Sequence, residues 1–154
     1  MGLFSRLRRK RPESNERTVQ WSLAPWEAKA RAAIMTKLAA GYGIDLDYSP
    51  ESLASVDFLI DKERETRVGM TDEMVQVIVS LGSYVGEVMV REMGGKWTKG
   101  SGDPNQDPLV MEIDGTFAIN VVSVVFRRFL QGPPFSVAVM YGETEKLRQG
   151  KQEP

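Results

Sequence analysis

Hydrophobic residues recur at helical spacing in three successive stretches of the N-terminal half, each with its own start and stop signals. In the third stretch Met74, Ile78, Leu81, Val85 and Val88 share one face, while Val75, Val79, Gly82, Gly86, Met89 and Met93 share another. Between them, at steps of three and four, runs a polar line of Glu73, Gln76, Ser80, Ser83, Glu87 and Arg91. The spacing predicts a helix covered on most of its circumference, with the polar line as the side that meets water. Thr71 before Asp72 and Glu73 supplies an N-cap and an acidic first turn, and Gly94-Gly95 supplies a left-handed stop. Gly82 and Gly86 each lower helix propensity by roughly 1 kcal/mol relative to alanine. Another element is therefore expected to approach the helix closely at both.

The first stretch starts near Ser22 or Ala24, with Pro25 at an early helical position, and runs to the Gly41-Tyr42-Gly43 stop. Its apolar stripe is Trp26, Ala30, Ala33, Ile34 and Leu38, and Glu27 and Arg31 make an i,i+4 pair on the exposed side. The second opens at Ser49-Pro50-Glu51 and turns Leu53, Val56, Leu59 and Ile60 inward. After Trp97, TKGSGDPNQDP is a run of turn formers that reads as a mobile loop. Asp114-Gly115 between LVMEI and TFAI signals a hairpin with a two-residue turn. Val121 to Leu130 has strand-like valines, but Val122, Val125, Phe126 and Phe129 fit helical spacing. Asn120 as N-cap and Gly132-Pro133-Pro134 as stop favour a helix. Ser136 then caps a last helix with Val137, Met140, Tyr141 and Leu147 inward, and residues 148–154 form a disordered tail.

The fold class is thus α+β. A single small domain over residues 21–147 holds three N-terminal helices, a short antiparallel β-hairpin or small sheet, and two C-terminal helices. At 154 residues and 42% apolar composition the chain suits one such domain with tails.

Charge divides the chain. Of 20 basic residues, five (Arg6, Arg8, Arg9, Lys10 and Arg11) fall within the first eleven positions, which contain no acid. The remainder is acidic, which argues against a nucleic-acid-binding surface on the folded domain. Leu3, Phe4 and Leu7 share a helical face among these cations, including Arg8 and Arg9, a pattern suited to weak peripheral contact with an anionic membrane. Residues 1–20 otherwise read as a disordered arm and linker. No secretory segment is visible, and Arg6 stands where an N-myristoylation signal needs Ser or Thr, so the expected location is cytoplasmic, peripheral to the inner face of the membrane. An intramembrane role for the Gly82-x-x-x-Gly86 pair is opposed by the charges around it.

The chain contains no cysteine and no histidine. Disulfides, thiolate metal sites, thiol nucleophiles, Ser-His-Asp triads and the usual zinc sets are thereby excluded within it. No cofactor is expected. Asp103, Asn105, Asp107 and Asp114 echo a calcium-loop spacing, yet Pro108 replaces the turn glycine and strand signals follow, so a plain polar loop is the simpler reading. Glu87 sits between apolar neighbours, with Arg91 one turn on as its expected ion-pair partner. The binding candidates are Tyr84, Glu87, Arg91, Trp97, Arg127 and Arg128; no residue is assigned as catalytic or as a metal ligand.

Tyr84, Gly86 and Glu87, then Gly94, Gly95 and Trp97, then Arg127, Arg128 and Gly132 resemble the Y-x-G-E, G-G-x-W and K/R-R-x-x-x-G pattern of a bacterial domain of unknown function. The resemblance covers about Ile44 to Leu147, departs at Val121 where proline is expected, and implies a small α+β fold; it supplies no catalytic residues to carry over. The functional expectation is a non-catalytic protein-interaction module, regulatory or immunity-like. The alternative is a carboxylate- or metal-dependent enzyme using Glu87 and the Asp103–Asp114 loop.

Overall fold

A computed structural model describes residues 25–66, 71–98, 110–115 and 117–152. Its elements are helix α1 (Pro25–Ala40), a 3-10 turn (Pro50–Ser52) that runs into α2 (Leu53–Thr66), α3 (Asp72–Met93), strands β1 (Lys96–Thr98), β2 (Val110–Ile113) and β3 (Phe117–Ile119), then α4 (Val121–Gln131) and α5 (Val137–Gln152). The α+β class and the order of three helices, sheet and two helices are as the sequence predicts. The arm residues Leu3, Phe4, Leu7, Arg8 and Arg9 lie outside the described residues, as do Asp103, Asn105 and Asp107.

The centre of the fold is α3. Thr71 accepts from the Met74 amide as N-cap, and Gly94 at φ 66° ends the helix with the Gly95 amide returning to the Met89 carbonyl. Fifteen of its 22 residues are buried. By length and composition α3 is long and apolar enough to cross a bilayer, yet most of it is buried inside this fold. Those apolar faces are covered by α1, α4, β2 and α5. The polar line is only partly wet: Gln76 and Arg91 are exposed, whereas Ser83 and Glu87 are buried.

Packing of α1 reverses the expected face. Ala28, Ala32, Met35 and Ala39 are fully buried, while Trp26 is 72% and Ile34 52% exposed. Both faces of this helix are apolar, so periodicity alone does not choose between them; the alanine face lets two helix backbones come close, which the bulk of Trp26 would prevent. Arg31 turns toward α3 as well, its Nη1 donating to Gln76 Oε1 at 2.8 Å.

In α2, Leu53, Val56, Leu59 and Ile60 are buried as expected, behind a Ser49 cap that accepts from the Ser52 amide at 3.2 Å. The ambiguous valine run is helical, capped by Asn120 Oδ1 on the Ser123 amide at 2.9 Å, and it buries Val121, Val122, Val125 and Phe129. In α5, Val137 is buried, but Leu147 is 61% exposed and Thr144 takes an inward place, its hydroxyl donating to the Met140 carbonyl. This helix continues past Leu147 to Gln152.

The sheet is antiparallel in the order β1-β2-β3, with Trp97 opposite Met111 and Ile113 opposite Phe117. Asp114 (φ 54°) and Gly115 (φ 66°) form the left-handed turn that their dipeptide signals, although three residues rather than two separate the paired positions. Strand β1, which extends the hairpin to three strands, spans the end of the segment read as helix stop and tryptophan and the first residue of the expected loop, Thr98.

The two helix glycines mark close approaches. A Cβ on Gly82 would stand 2.8 Å from Val122 Cγ2 and 2.9 Å from Val122 Cα, so backbone as well as side chain would have to move. Gly82→Ala is therefore expected to destabilise the fold by about 1–3 kcal/mol in urea unfolding despite its gain in helix propensity. A neutral or stabilising result would mean that α4 does not rest on α3 at this depth.

Candidate functional site

Of the residues that carry the resemblance, Tyr84, Gly86, Glu87, Gly94, Gly95 and Trp97 lie on the C-terminal half of α3 and the turn after it, whereas Arg127, Arg128 and Gly132 lie on α4 and the turn after that helix. Tyr84 is fully buried; its hydroxyl lies 2.6 Å from Ser52 Oγ and accepts from the Tyr48 amide at 2.9 Å, fastening the loop before α2 to the central helix. Gly86 is the seat of Trp97, since a Cβ there would overlap the indole ring. Trp97 Nε1 in turn donates to Glu87 Oε2 at 2.9 Å. Glycine, glutamate and tryptophan thus form one lock on the helix, and the tyrosine beside them forms a second tie to the loop before α2.

Glu87 is not held by Arg91, as its spacing suggests. Arg91 is exposed and lies over the Tyr48 ring, 3.5 Å from guanidinium carbon to centroid, and that ring packs against Tyr84 with centroids 5.0 Å apart. Tyr48 adopts φ 65°, a left-handed conformation that a non-glycine residue holds only when its surroundings over-determine it. Here the hydrogen bond from the Tyr48 amide to the Tyr84 hydroxyl and the contacts of the ring with Arg91 and Tyr84 do so. Burial raises both phenols above their ordinary range, opposed at Tyr48 by the Arg91 charge and at Tyr84 by its hydrogen bonds.

A second constellation joins α2 to the last two helices. Arg128 donates from Nε to Asp61 Oδ1 at 2.8 Å and from Nη2 to Oδ2 at 2.6 Å, a bidentate pair. Its Nη1 reaches the carbonyls of Pro133 (3.0 Å) and Phe135 (3.4 Å), tying down the turn after Gly132. Asp57 caps α5 from outside that helix: it accepts from the Val137 amide (2.8 Å), the Ala138 amide (3.2 Å) and Ser136 Oγ (2.7 Å). Ser136 Oγ accepts from the Val139 amide, so the expected serine cap is present with a carboxylate behind it. Arg128 is 8% exposed and committed to these bonds, which raise its pKa through Asp61 first. Arg127 stays exposed, 6.0 Å from the Phe135 ring centroid.

Asp57 and Asp61 were not legible as functional residues, although their i,i+4 spacing beside Val56 and Ile60 places two carboxylates on the edge of the apolar face. Asp114, the last member of the calcium-like string, lies 3.6 Å from Arg148 Nε. Among the described residues no group of three or more carboxylates is placed to hold a metal ion.

Removing Arg128 would leave Asp57 and Asp61 without their cation. Arg128→Met is expected to cost about 2–4 kcal/mol in denaturant unfolding, and a loss under about 0.5 kcal/mol would show that solvent satisfies the clamp. Tyr141 provides a pH test. Burial, then the Glu145 and Glu92 charges, push its phenol up to about 12. Unfolded tyrosine ionises near about pH 10. Between these values only the unfolded chain releases the proton, so stability falls as pH rises from about 10 to 12. Tyr141→Phe should flatten part of that decline and run parallel to the natural chain at lower pH, with Tyr48 and Tyr84 supplying the residual slope. Identical slopes in the two proteins would refute the assignment.

No curated protein and no solved structure matches the chain. A family model described as a family of unknown function (DUF6278) matches residues 3–148, reaching through α1 and into the arm rather than beginning near Ile44. The chain belongs to that family.

Proposed function

We propose that this protein is a non-catalytic protein-interaction module, regulatory or immunity-like in kind, that works in the cytoplasm and is brought to the membrane surface by its basic arm. The observation that carries the reading is the setting of the clamp. Its charges are consumed internally, while large apolar side chains beside it in sequence stand in solvent: Phe58 next to Asp57 (51% exposed), Leu130 two residues past Arg128 (51%) and Val139 within a turn of Ser136 (62%). A rigid polar joint holding exposed apolar groups from three helices suits recognition of another protein more than chemistry on a small substrate. Glu87, the carboxylate an enzymatic reading needs, already accepts the Trp97 indole.

Substituting Phe58→Ser together with Val139→Ser tests this. The double variant should keep its unfolding midpoint, because both side chains are exposed, and should lose a partner recovered by cross-linking and pull-down with the natural chain. Recovery of the same partner in undiminished yield would sink the proposed face. Loss of an enzymatic activity on Glu87→Gln, with the fold intact, would favour the catalytic alternative instead.

A further inference from the structure

We infer that the outward face of α1 is a second, folded contact for an anionic lipid surface, continuing the contact proposed for the arm. The inference rests on the membrane part of the preceding reading. Because the alanine face of α1 is spent on α3, the opposite face is left with Trp26 and Ile34 exposed, Ala30 and Ala33 between them, and exposed Lys29 and Lys37 alongside. Aromatic and branched side chains flanked by lysines make a face that sinks into the headgroup boundary while the ammonium groups stay at the phosphates. The helix is about 24 Å long at 1.5 Å per residue, enough to lie flat on a bilayer.

Charge selects this occupant. Glu27 is the one acid in α1 against Lys29, Arg31 and Lys37, and the first eleven residues add five cations and no acid. Everything else in the chain holds 12 basic and 20 acidic residues. An anionic surface attracts α1 and the arm and repels the rest, which orients the domain with the Trp26 face down. Thirteen residues join Arg11 to Pro25, so both segments can reach one surface. A second copy of the chain fits less well. Two such faces meeting would set lysines against lysines, and one face of a 16-residue helix buries less than the roughly 800 Å² per partner of a stable interface. Three apolar residues in the arm are a weak anchor alone; α1 supplies the second signal that stable peripheral binding requires.

The test is flotation of the full chain with vesicles of phosphatidylcholine alone or of equal parts phosphatidylcholine and phosphatidylserine. The natural chain should float with the anionic vesicles only, and added salt should weaken the binding. Trp26→Ser with Ile34→Ser, both at exposed positions, should lower vesicle affinity by roughly tenfold or more with an unchanged unfolding midpoint. Lys29→Glu with Lys37→Glu should do the same. Arg8→Glu with Arg9→Glu reads the arm separately. Loss of flotation in that variant alone, with both α1 variants binding normally, would overturn the role of α1 and keep that of the arm. Absence of flotation by the natural chain would overturn both. A natural chain that sediments as a dimer, becomes monomeric on Trp26→Ser with Ile34→Ser and ignores vesicles would assign the face to a second copy and overturn the lipid contact.

Discussion

The fold depends on bringing other elements against the bare backbone of α3. Gly86 admits the Trp97 indole and Gly82 admits Val122, and both contacts would be blocked by a single methyl group. The first follows from chain connectivity as much as from packing. The helix ends at Gly94, the chain reverses, and Trp97 is carried back over Gly86 to meet the Glu87 carboxylate within one strand. That reversal starts β1, β1 sets the register of β2 through Trp97 and Met111, and the sheet thereby sits at the C-terminal end of α3. The second contact places the first turn of α4 on the same helix, one turn earlier.

The Asp57–Asp61–Arg128 clamp has a different character. A buried ion pair is weak evidence of net stability, since desolvation offsets much of the attraction. Its consequence is geometric: one arginine holds α2 and the turn after Gly132, and one carboxylate holds the free amides at the start of α5. Apolar packing alone would leave the α4–α5 angle open to adjustment. Directional bonds to three carboxylate-facing amides and hydroxyls and to two carbonyls close off that freedom.

Elements with local chemistry were legible in the sequence. Thr71, Ser49, Asn120 and Ser136 cap the helices they announce, and Gly82 and Gly86 mark close approaches as their propensity cost implies. What escaped the sequence depends on pairings distant along the chain. The buried side of α1 is chosen by the fit of alanines on α3, not by hydrophobicity, because Trp26 and Ile34 are the more apolar choice. Glu87 finds an indole ten residues on rather than an arginine four residues on, because Arg91 is drawn to the Tyr48 ring. Arg128 and its carboxylates are 67 and 71 positions apart, beyond any local spacing rule.

Glu87 and Trp97 therefore serve as the lock of a structural spine, which Tyr84 ties to the loop before α2. Native-state hydrogen exchange tests the spine most directly, because the Trp97 indole proton and the central α3 amides can be followed together. If the lock is integral, the indole proton exchanges with the same free energy as the amides of Val79 to Val88, at the level of global unfolding. Exchange of the indole through a low-energy local opening, while those amides remain protected, would contradict the account.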